Sequence, residues 1–360
     1  MRKNLFVRSI AAVSGIVMLA SLAACGDNIS SAGNNSGSTS TEKITGSFSG
    51  AGATSQQAAE EAWISAYMAA NSGANVTYNP TGSGAGVTTF LSGATAWAGS
   101  DKALSDDEVT QSSDKACANG TTAFDVPVYI SPIAIIFNLK GVSDAGKHIN
   151  LDADTAAKIF DGKIVKWNDP AIANQNKDLA LPDTQITVVH RSDKSGTTQN
   201  FVSYFKDQAP DSWTHELSEN WPDIPGQQSA KGTSGVVTAV KQADGTIGYA
   251  DFSQVGDLGT AAIKVGENYN EISADAGSKV IEDSEIDTSV KGDNRVVVKI
   301  NHATEAKGAY PIVLVSYDIA CPAYKDASTA KFVKSWLTYV TSDEGQKTAS
   351  SAAGSAPLRS

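Results

Sequence analysis

Residues 185–205, QITVVHRSDKSGTTQNFVSYF, contain a change in hydrophobic period. QITVVH (185–190) has the composition of a strand, whereas the aromatic residues of NFVSYF (200–205) are spaced for one face of a helix. RSDKSGTT (191–198) lies between them and combines an arginine, an aspartate and several small hydroxyl residues. The segment therefore predicts a strand, a glycine-containing turn and a helix, with the polar turn at the helix N-terminus.

Three other turns repeat this design, because each is small, rich in glycine or hydroxyl side chains, and followed by a helical stretch. They are AGATS (51–55), TGSGAG (81–86) and GSD (99–101). Free N–H groups at a helix N-terminus, together with the helix dipole, can hold a tetrahedral oxyanion. A single such turn is more often a simple helix cap. Four of them, with one arginine, favour a shared anion site.

Strands and helices alternate along the chain, which predicts α/β architecture. Two β-rich runs, DVPVYI (125–130) and IAIIFNL (133–139), lie on either side of Pro132. The full chain has 28 basic and 39 acidic residues, and three of the basic ones lie in the first 24 residues. The remaining chain therefore has 25 basic and 39 acidic residues, a formal charge of −14. Such a surface argues against a nucleic-acid partner, and any anion must be held by local dipoles.

The N-terminus, MRKNLFVRSIAAVSGIVMLASLAACG, is typical of an export signal. It begins with positive charge, and its apolar stretch is too short to span a bilayer comfortably. Cys25 directly follows small residues and resembles the lipidated cysteine of bacterial lipoproteins; the alternative is a chance cysteine at an ordinary cleavage site. We therefore predict a signal peptide over 1–24, acyl chains on Cys25 that anchor the chain to the membrane, and a flexible polar tether over 25–45.

Roughly 310 residues then remain, more than one hydrophobic core usually organises, so two lobes are expected. Cys117 and Cys321 are the cysteines left after Cys25. In an exported protein they are predicted to form a disulfide, the alternative being two free buried thiols. The four histidines are scattered and no metal-ligand spacing occurs, so neither a metal nor another cofactor is predicted.

The polar turns occur in an order that resembles the PstS family, the phosphate-binding proteins of phosphate ABC importers. The resemblance covers roughly residues 46–345 and rests on GAGAT (50–54), TGSGAG (81–86), GSDKALSDDE (99–108), HRSDKSGTTQNFVSYF (190–205) and GTIGYAD (245–251). It implies a two-lobed periplasmic-binding-protein type II fold, with mixed sheets flanked by helices and the ligand in a cleft between the lobes. It also implies a monomeric receptor on the outer face of the cell membrane that delivers phosphate to a permease.

The resemblance also implies where the lobes begin and end. The chain would cross from lobe I to lobe II near Pro132 and return near Pro311. Lobe I would then contain 46–132 and 311–360, and lobe II would contain 133–310. Both Cys117 and Cys321 would lie in lobe I, where a disulfide would join its two separated segments.

Carried over residue by residue, the family's phosphate contacts fall on eight positions. Arg191 offers a bidentate fork to two phosphate oxygens, and the small residues offer hydroxyl or backbone N–H donors. The eight are Thr54, Ser55, Ser83, Asp101, Arg191, Ser195, Gly196 and Thr197. Two nearby positions depart from the family pattern: Ser55 replaces a residue that is often aromatic, and Lys194 replaces one that is often small.

Asp101 is the unexpected residue, because a carboxylate should repel an anion. It fits a ligand that still carries a proton, since the carboxylate can accept that proton in a hydrogen bond. Phosphate carries one near neutral pH and sulfate does not, so Asp101 would reject sulfate. The alternative is an ordinary helix-capping aspartate. Asp193 is predicted either to orient Arg191 or to form the turn.

Three alternative functions fit the sequence less well than a phosphate receptor. The same fold could take arsenate, sulfate or molybdate, although Asp101 argues against sulfate. A secreted phosphatase or esterase would use Ser83 or Ser195 as nucleophile, but no G-x-S-x-G sequence occurs. GVSDAGKH (141–148) matches part of a nucleotide-binding loop, yet His148 stands where that loop needs serine or threonine. The prediction is therefore a binding protein and not an enzyme.

Overall fold

The structure of the protein, a computed structural model, describes residues 43–358. The predicted signal peptide, Cys25 and most of the predicted tether lie outside the described residues. Helices and strands alternate through the described part, which confirms the α/β prediction. None of the helices in residues 43–358 has the length and apolar content needed to cross a bilayer.

The strands in the described residues are β1 Gly46–Gly52, β2 Ala74–Asn79, β3 Trp97–Ser100, β4 Phe124–Asn138, β5 Ile149–Leu151, β6 Thr187–Arg191, β7 Gln228–Ala230, β8 Thr246–Asp251, β9 Gly259–Val265, β10 Asn268–Asn270, β11 Glu285–Ile286, β12 Val298–Lys299 and β13 Val313–Ala320. The α-helices are α1 Gln57–Ala70, α2 Ser83–Leu91, α3 Asp106–Lys115, α4 Ala153–Phe160, α5 Pro170–Ala173, α6 Gly196–Gln208, α7 Gly232–Gln242, α8 Ala274–Glu282, α9 Ala327–Val340 and α10 Asp343–Ala353. Two short 3₁₀ turns, Ser143–Ala145 and Phe252–Gln254, complete the set.

Strand β4 connects the two halves of the main sheet. The strand order is β2-β1-β3-β13-β4-β8-β6-β7, with β9 also pairing β4 and carrying β5 and β10. Residues 124–132 of β4 pair antiparallel with β13, and residues 133–138 pair antiparallel with β8. The two β-rich runs predicted on either side of Pro132 are thus one continuous strand that changes partner at Pro132.

Both halves are mixed sheets covered by helices. In the first, β1 pairs parallel with β2 and β3, whereas β13 runs antiparallel to β3. In the second, β6 runs parallel to β7 and β8. Aromatic side chains fill the core beneath the helices: Phe48 stacks on Phe332 of α9 on the first half, and Phe201 of α6 stacks on Tyr249 of β8 on the second.

The predicted disulfide between Cys117 and Cys321 is present and joins positions 204 residues apart. It links the chain after α3 to the end of β13, and both cysteines are buried in an apolar cluster with Val87 and Phe90 of α2. The bridge therefore ties the C-terminal part of the chain to the sheet formed by its N-terminal part.

Candidate anion site

The predicted site residues lie where strands end and helices begin. Thr54 and Ser55 follow β1 and precede α1, Ser83 opens α2, and Asp101 directly follows β3. Arg191 is the last residue of β6, and the Ser195 hydroxyl caps α6 by accepting the Thr198 N–H. All eight predicted residues are buried. The strand, turn and helix pattern of 185–205 is thus confirmed, and it places Arg191, Ser195, Gly196 and Thr197 at the junction of β6, the turn and α6.

Asp101 lies at the centre of the hydroxyl groups. Its Oδ1 accepts hydrogen bonds from the Ser55 hydroxyl at 2.6 Å and from the Ser316 hydroxyl at 2.5 Å. Its Oδ2 accepts one from the Thr197 hydroxyl at 2.6 Å, and its backbone N–H donates to the Ser83 hydroxyl at 3.2 Å. Three hydroxyl donors suit an ionised carboxylate. The arrangement makes Asp101 more than a helix cap, because its four hydrogen-bond partners come from four separate segments of the chain.

Arg191 is held by Asp193 in a bidentate ion pair. Its Nε donates to Asp193 Oδ1 at 2.8 Å, and a terminal guanidinium nitrogen donates to Oδ2 at 2.6 Å. Burial alone would raise the pKa of Asp193, but the hydrogen bond and charge of Arg191 outweigh burial and lower it. Asp193 Oδ1 also accepts the Gly232 N–H at 3.0 Å. Asp193 therefore has the orienting role, and it leaves the other guanidinium donors free for a ligand.

Gly82 explains why the turn before α2 contains glycine. Its φ is +96°, and a side-chain Cβ there would lie 2.4 Å from Asp193 Oδ2 and 3.5 Å from a guanidinium nitrogen of Arg191. The turn preceding Ser83 therefore sits directly on the Arg191–Asp193 pair. A Gly84 N–H to Lys194 carbonyl hydrogen bond of 3.2 Å joins the same two turns.

The Thr54 hydroxyl pairs with a residue outside the predicted set. It lies 2.8 Å from the Thr233 hydroxyl and accepts the Thr233 N–H at 3.1 Å. Thr233 is in the first turn of α7, next to Gly232, and so connects Thr54 to the Asp193 and Arg191 side of the site.

Sequence reasoning missed Thr233 and Ser316. A signal for Thr233 was available, because KGTSG (231–235) repeats the glycine turn before a helix. None was available for Ser316, which lies inside an apolar strand.

Four charged side chains form a network beside these turns. The Glu219 carboxylate Oε2 is 3.2 Å from Lys194 Nζ and 3.7 Å from Lys102 Nζ, and Lys102 also pairs with Glu108 at 2.8 Å. The Glu219 backbone carbonyl accepts the Ser195 N–H at 2.9 Å. The unusual Lys194 charge is therefore balanced by Glu219.

The site can bind a small, partly protonated oxyanion. It combines a guanidinium, several hydroxyls, N–H groups at helix N-termini and a single carboxylate acceptor. Within residues 43–358, no group of three or more histidine, cysteine, aspartate or glutamate residues could hold a metal ion.

Comparison with known proteins adds independent evidence. Residues 37–344 match the family described as the PBP superfamily domain. The chain is 37% identical over 345 residues to phosphate-binding protein PstS2 of Mycobacterium bovis (strain BCG / Pasteur 1173P2), covering 92% of this chain and 90% of that protein.

Two solved structures support the fold. A phosphate-binding protein from Stenotrophomonas maltophilia superposes with a TM-score of 0.65 at 22% identity, covering 88% of this chain and 91% of that one. An ABC-type phosphate transport receptor from Vibrio cholerae superposes with a TM-score of 0.53 at 17% identity, covering 86% of this chain and all of that one. Both likenesses indicate the periplasmic-binding-protein type II fold predicted from the sequence.

Proposed function

The chain belongs to the PstS family of phosphate-binding proteins, and on that premise we propose that its anion site binds one inorganic phosphate. The protein is the solute receptor of a phosphate ABC importer and acts outside the cytoplasm as a binding protein, not as a phosphatase or esterase. The contacts we assign to phosphate are the eight residues Thr54, Ser55, Ser83, Asp101, Arg191, Ser195, Gly196 and Thr197.

One observation carries the assignment: a buried carboxylate lies among donors that otherwise suit an anion. Asp101 accepts three hydroxyl hydrogens, so it has the character of an ionised acceptor. A fully deprotonated oxyanion has no hydrogen to donate to this carboxylate, so the lone pairs of the two groups would face and repel each other. An anion with one proton can donate it to Asp101 while its other oxygens accept from Arg191 and the turns. This selects phosphate over sulfate, and the same argument admits arsenate.

The bound anion would complete the contact between two lobes, divided as the sequence predicts near Pro132 and Pro311. The change of partner in β4 at Pro132 supports the first boundary. The Thr197–Asp101 and Thr54–Thr233 hydrogen bonds join residues of the two proposed lobes. Phosphate would shift the population towards this joined form, because its full set of donors exists only there.

We also propose that the mature protein is anchored to the membrane through acyl chains on Cys25, with residues 25–45 as a tether to the folded body. Anchoring would keep the receptor near the permease that takes up its phosphate. Mass spectrometry of the mature protein should find an acylated N-terminal Cys25. A plain cleaved terminus would reject the anchor without affecting the phosphate assignment.

The assignment is tested by calorimetric titration of the protein from residue 26 onward with phosphate, sulfate and arsenate. We expect one phosphate per chain, no competition from equimolar sulfate, and binding of arsenate. An Arg191→Ala variant should bind phosphate weaker by about 2–5 kcal/mol, since it removes a buried charged donor. Tight sulfate binding by the unaltered protein would contradict the role given to Asp101.

A further inference from the structure

A row of buried polar side chains leads away from Asp101 into the core of the first sheet half. Gln56 and Glu60 lie one helical turn apart at the start of α1, and the Glu60 N–H donates to the Gln56 carbonyl at 2.8 Å. Ser316 and Asp318 lie two residues apart on β13, and both act on the start of α1: Ser316 accepts from Gln56, and the charge of Asp318 reaches Glu60. All four residues have 0% exposure. None belongs to the predicted phosphate contacts.

The direction of the hydrogen bonds in this row is fixed by a backbone carbonyl. Gln56 Nε2 donates to the Tyr317 carbonyl at 3.2 Å and to the Ser316 hydroxyl oxygen at 2.7 Å. A carbonyl can only accept, so the amide nitrogen of Gln56 must face β13. Ser316 has a single hydroxyl hydrogen, and its oxygen already accepts from Gln56. That hydrogen therefore goes to Asp101 Oδ1, 2.5 Å away.

These hydrogen bonds determine which acceptor positions of the Asp101 carboxylate remain available to a ligand. An ionised carboxylate offers about four lone-pair sites. Ser55 and Ser316 use Oδ1, whereas Thr197 alone uses Oδ2. A free acceptor position is therefore left on Oδ2, where a proton of the ligand can be received.

We propose that Gln56 and Ser316 are positioning residues that keep Asp101 a pure acceptor, and that they thereby set the preference for a protonated oxyanion over an unprotonated one. This inference rests on the proposed phosphate function. It assigns part of the selectivity to two residues that a ligand in the site need not touch.

The buried groups at the inner end of the row agree with this orientation of the Gln56 amide, in which the nitrogen faces β13. Glu60 accepts the Trp97 indole N–H at 3.2 Å, and Asp318 accepts that of Trp336 at 3.1 Å. Burial first, and then the charge of Asp318, raise the pKa of Glu60 well above its usual range. Among the described residues, Gln56 Oε1 and Glu60 Oε2 have no hydrogen-bond partner. Gln56 Oε1 therefore makes no bond that competes with the two that its Nε2 makes to β13.

The test compares the phosphate and sulfate dissociation constants of variants by competition equilibrium dialysis. Ser316→Ala removes one of the two donors to Asp101 Oδ1, so the carboxylate is held in place by two hydroxyl groups instead of three. The phosphate preference should fall at least tenfold. Ser316→Thr, which keeps the hydroxyl, should restore the preference. Gln56→Glu replaces the donor to Ser316 by an acceptor, lets the Ser316 hydrogen turn away, and should lower the ratio as Ser316→Ala does.

Ser112→Ala is the matched control. Ser112 is also a fully buried serine that makes two hydrogen bonds, to the Val109 carbonyl and from the Ala123 N–H, away from the site. Its loss should lower thermal stability and leave the ratio of the two constants unchanged. If Gln56→Glu does not fold, the comparison of Ser316→Ala with Ser316→Thr still tests whether the hydroxyl at position 316 sets the preference for phosphate.

Different results would refute the positioning role and the proposed phosphate function on which it rests. If the unaltered protein does not prefer phosphate, the proposed function is wrong. If it does, and Asp101→Asn removes the preference while Ser316→Ala keeps it, the function stands and the positioning role is refuted. Equal weakening of phosphate and sulfate in Ser316→Ala would also refute it, because a merely structural role predicts that result.

Discussion

Glu219→Gln removes one negative charge between two lysines with almost no change in shape. Glu219 lies on the connection between α6 and β7, and its side chain is only 5% exposed. It faces Lys102 of the turn after β3 and Lys194 of the turn after β6. Lys102 and Glu219 belong to different predicted lobes, so under the proposed closure their ion pair forms only when the lobes meet. Its loss should therefore weaken the joined form that holds phosphate.

The charge separations set the size of the expected loss in phosphate-binding free energy. Two unit charges 3.7 Å apart, as in Lys102 and Glu219, attract by about 4–5 kcal/mol at an effective dielectric constant of 20. Most of this is offset by desolvation, and Lys102 keeps Glu108 at 2.8 Å. The Lys194 side chain is 48% exposed. Water therefore compensates for much of the attraction that Lys194 loses when the Glu219 charge is removed. About 1 kcal/mol should remain, which corresponds to roughly fivefold in the dissociation constant.

Glu219→Gln has two opposing effects on phosphate binding: it weakens the joined form, and it increases the attraction of the lysines for an anion. Stopped-flow measurement separates them, because the first changes the dissociation rate and the second the association rate. Without Glu219, Lys194 loses its partner and Lys102 keeps only Glu108, so the two lysines attract an anion more strongly, which acts mainly on the association rate. We therefore expect the phosphate dissociation rate constant to rise roughly fivefold in Glu219→Gln and the association rate constant to rise less than twofold at physiological salt. Glu216→Gln, on the same connection but exposed, is the control and should change neither. An unchanged or lower dissociation rate constant in Glu219→Gln would refute the reasoning.

Three further predictions follow from buried groups. In Asp101→Asn the amide oxygen should stay at the Oδ1 position, which has two hydroxyl donors, and the amide nitrogen should face the ligand. Phosphate should then bind weaker by about 1.5–3 kcal/mol and sulfate more tightly, as dialysis can measure; an unchanged ratio would contradict the proton-acceptor role. Replacing both Cys117 and Cys321 by serine opens a loop of 204 residues, and the melting temperature should drop, with a chain-entropy limit of about 5 kcal/mol. Phosphate affinity should stay within about twofold, since neither cysteine contacts the site, and a large affinity loss would show coupling between them. Burial, with a smaller contribution from the charge of Asp101, raises the pKa of Asp251 to about 7. Because this folded-state pKa is above the unfolded one, its stabilisation is complete below about pH 4 and is lost as the pH rises through 7. Asp251→Asn should therefore reduce the fall in melting temperature between pH 5 and 8, and a fall as steep as that of the unaltered protein would count against this assignment.

The turns of the site could be predicted from the sequence because their structure is local. Arg191 ends a strand and Ser195 caps the following helix, and the change from a period of 2 to one of 3.6 is visible within a few residues. Asp101 was found in the same way, between β3 and the helix capped at Ser105. The disulfide was predictable for another reason: once Cys25 is assigned to the lipid, only one pairing remains.

Tertiary structure alone decided which side chains complete the site. Ser316 is 215 residues from Asp101 in sequence, and β13 brings it there by inserting between β3 and β4. Within the sequence Ser316 lies with Asp318 in a strand whose other residues are apolar or aromatic, and no turn chemistry marks it as a site residue. Thr233 meets Thr54 across 179 residues, and Gln56 meets Ser316 across 260. Short-range patterns determine where each turn forms, whereas pairing between distant strands determines which turns and side chains meet, because that pairing depends on the packing of the whole core.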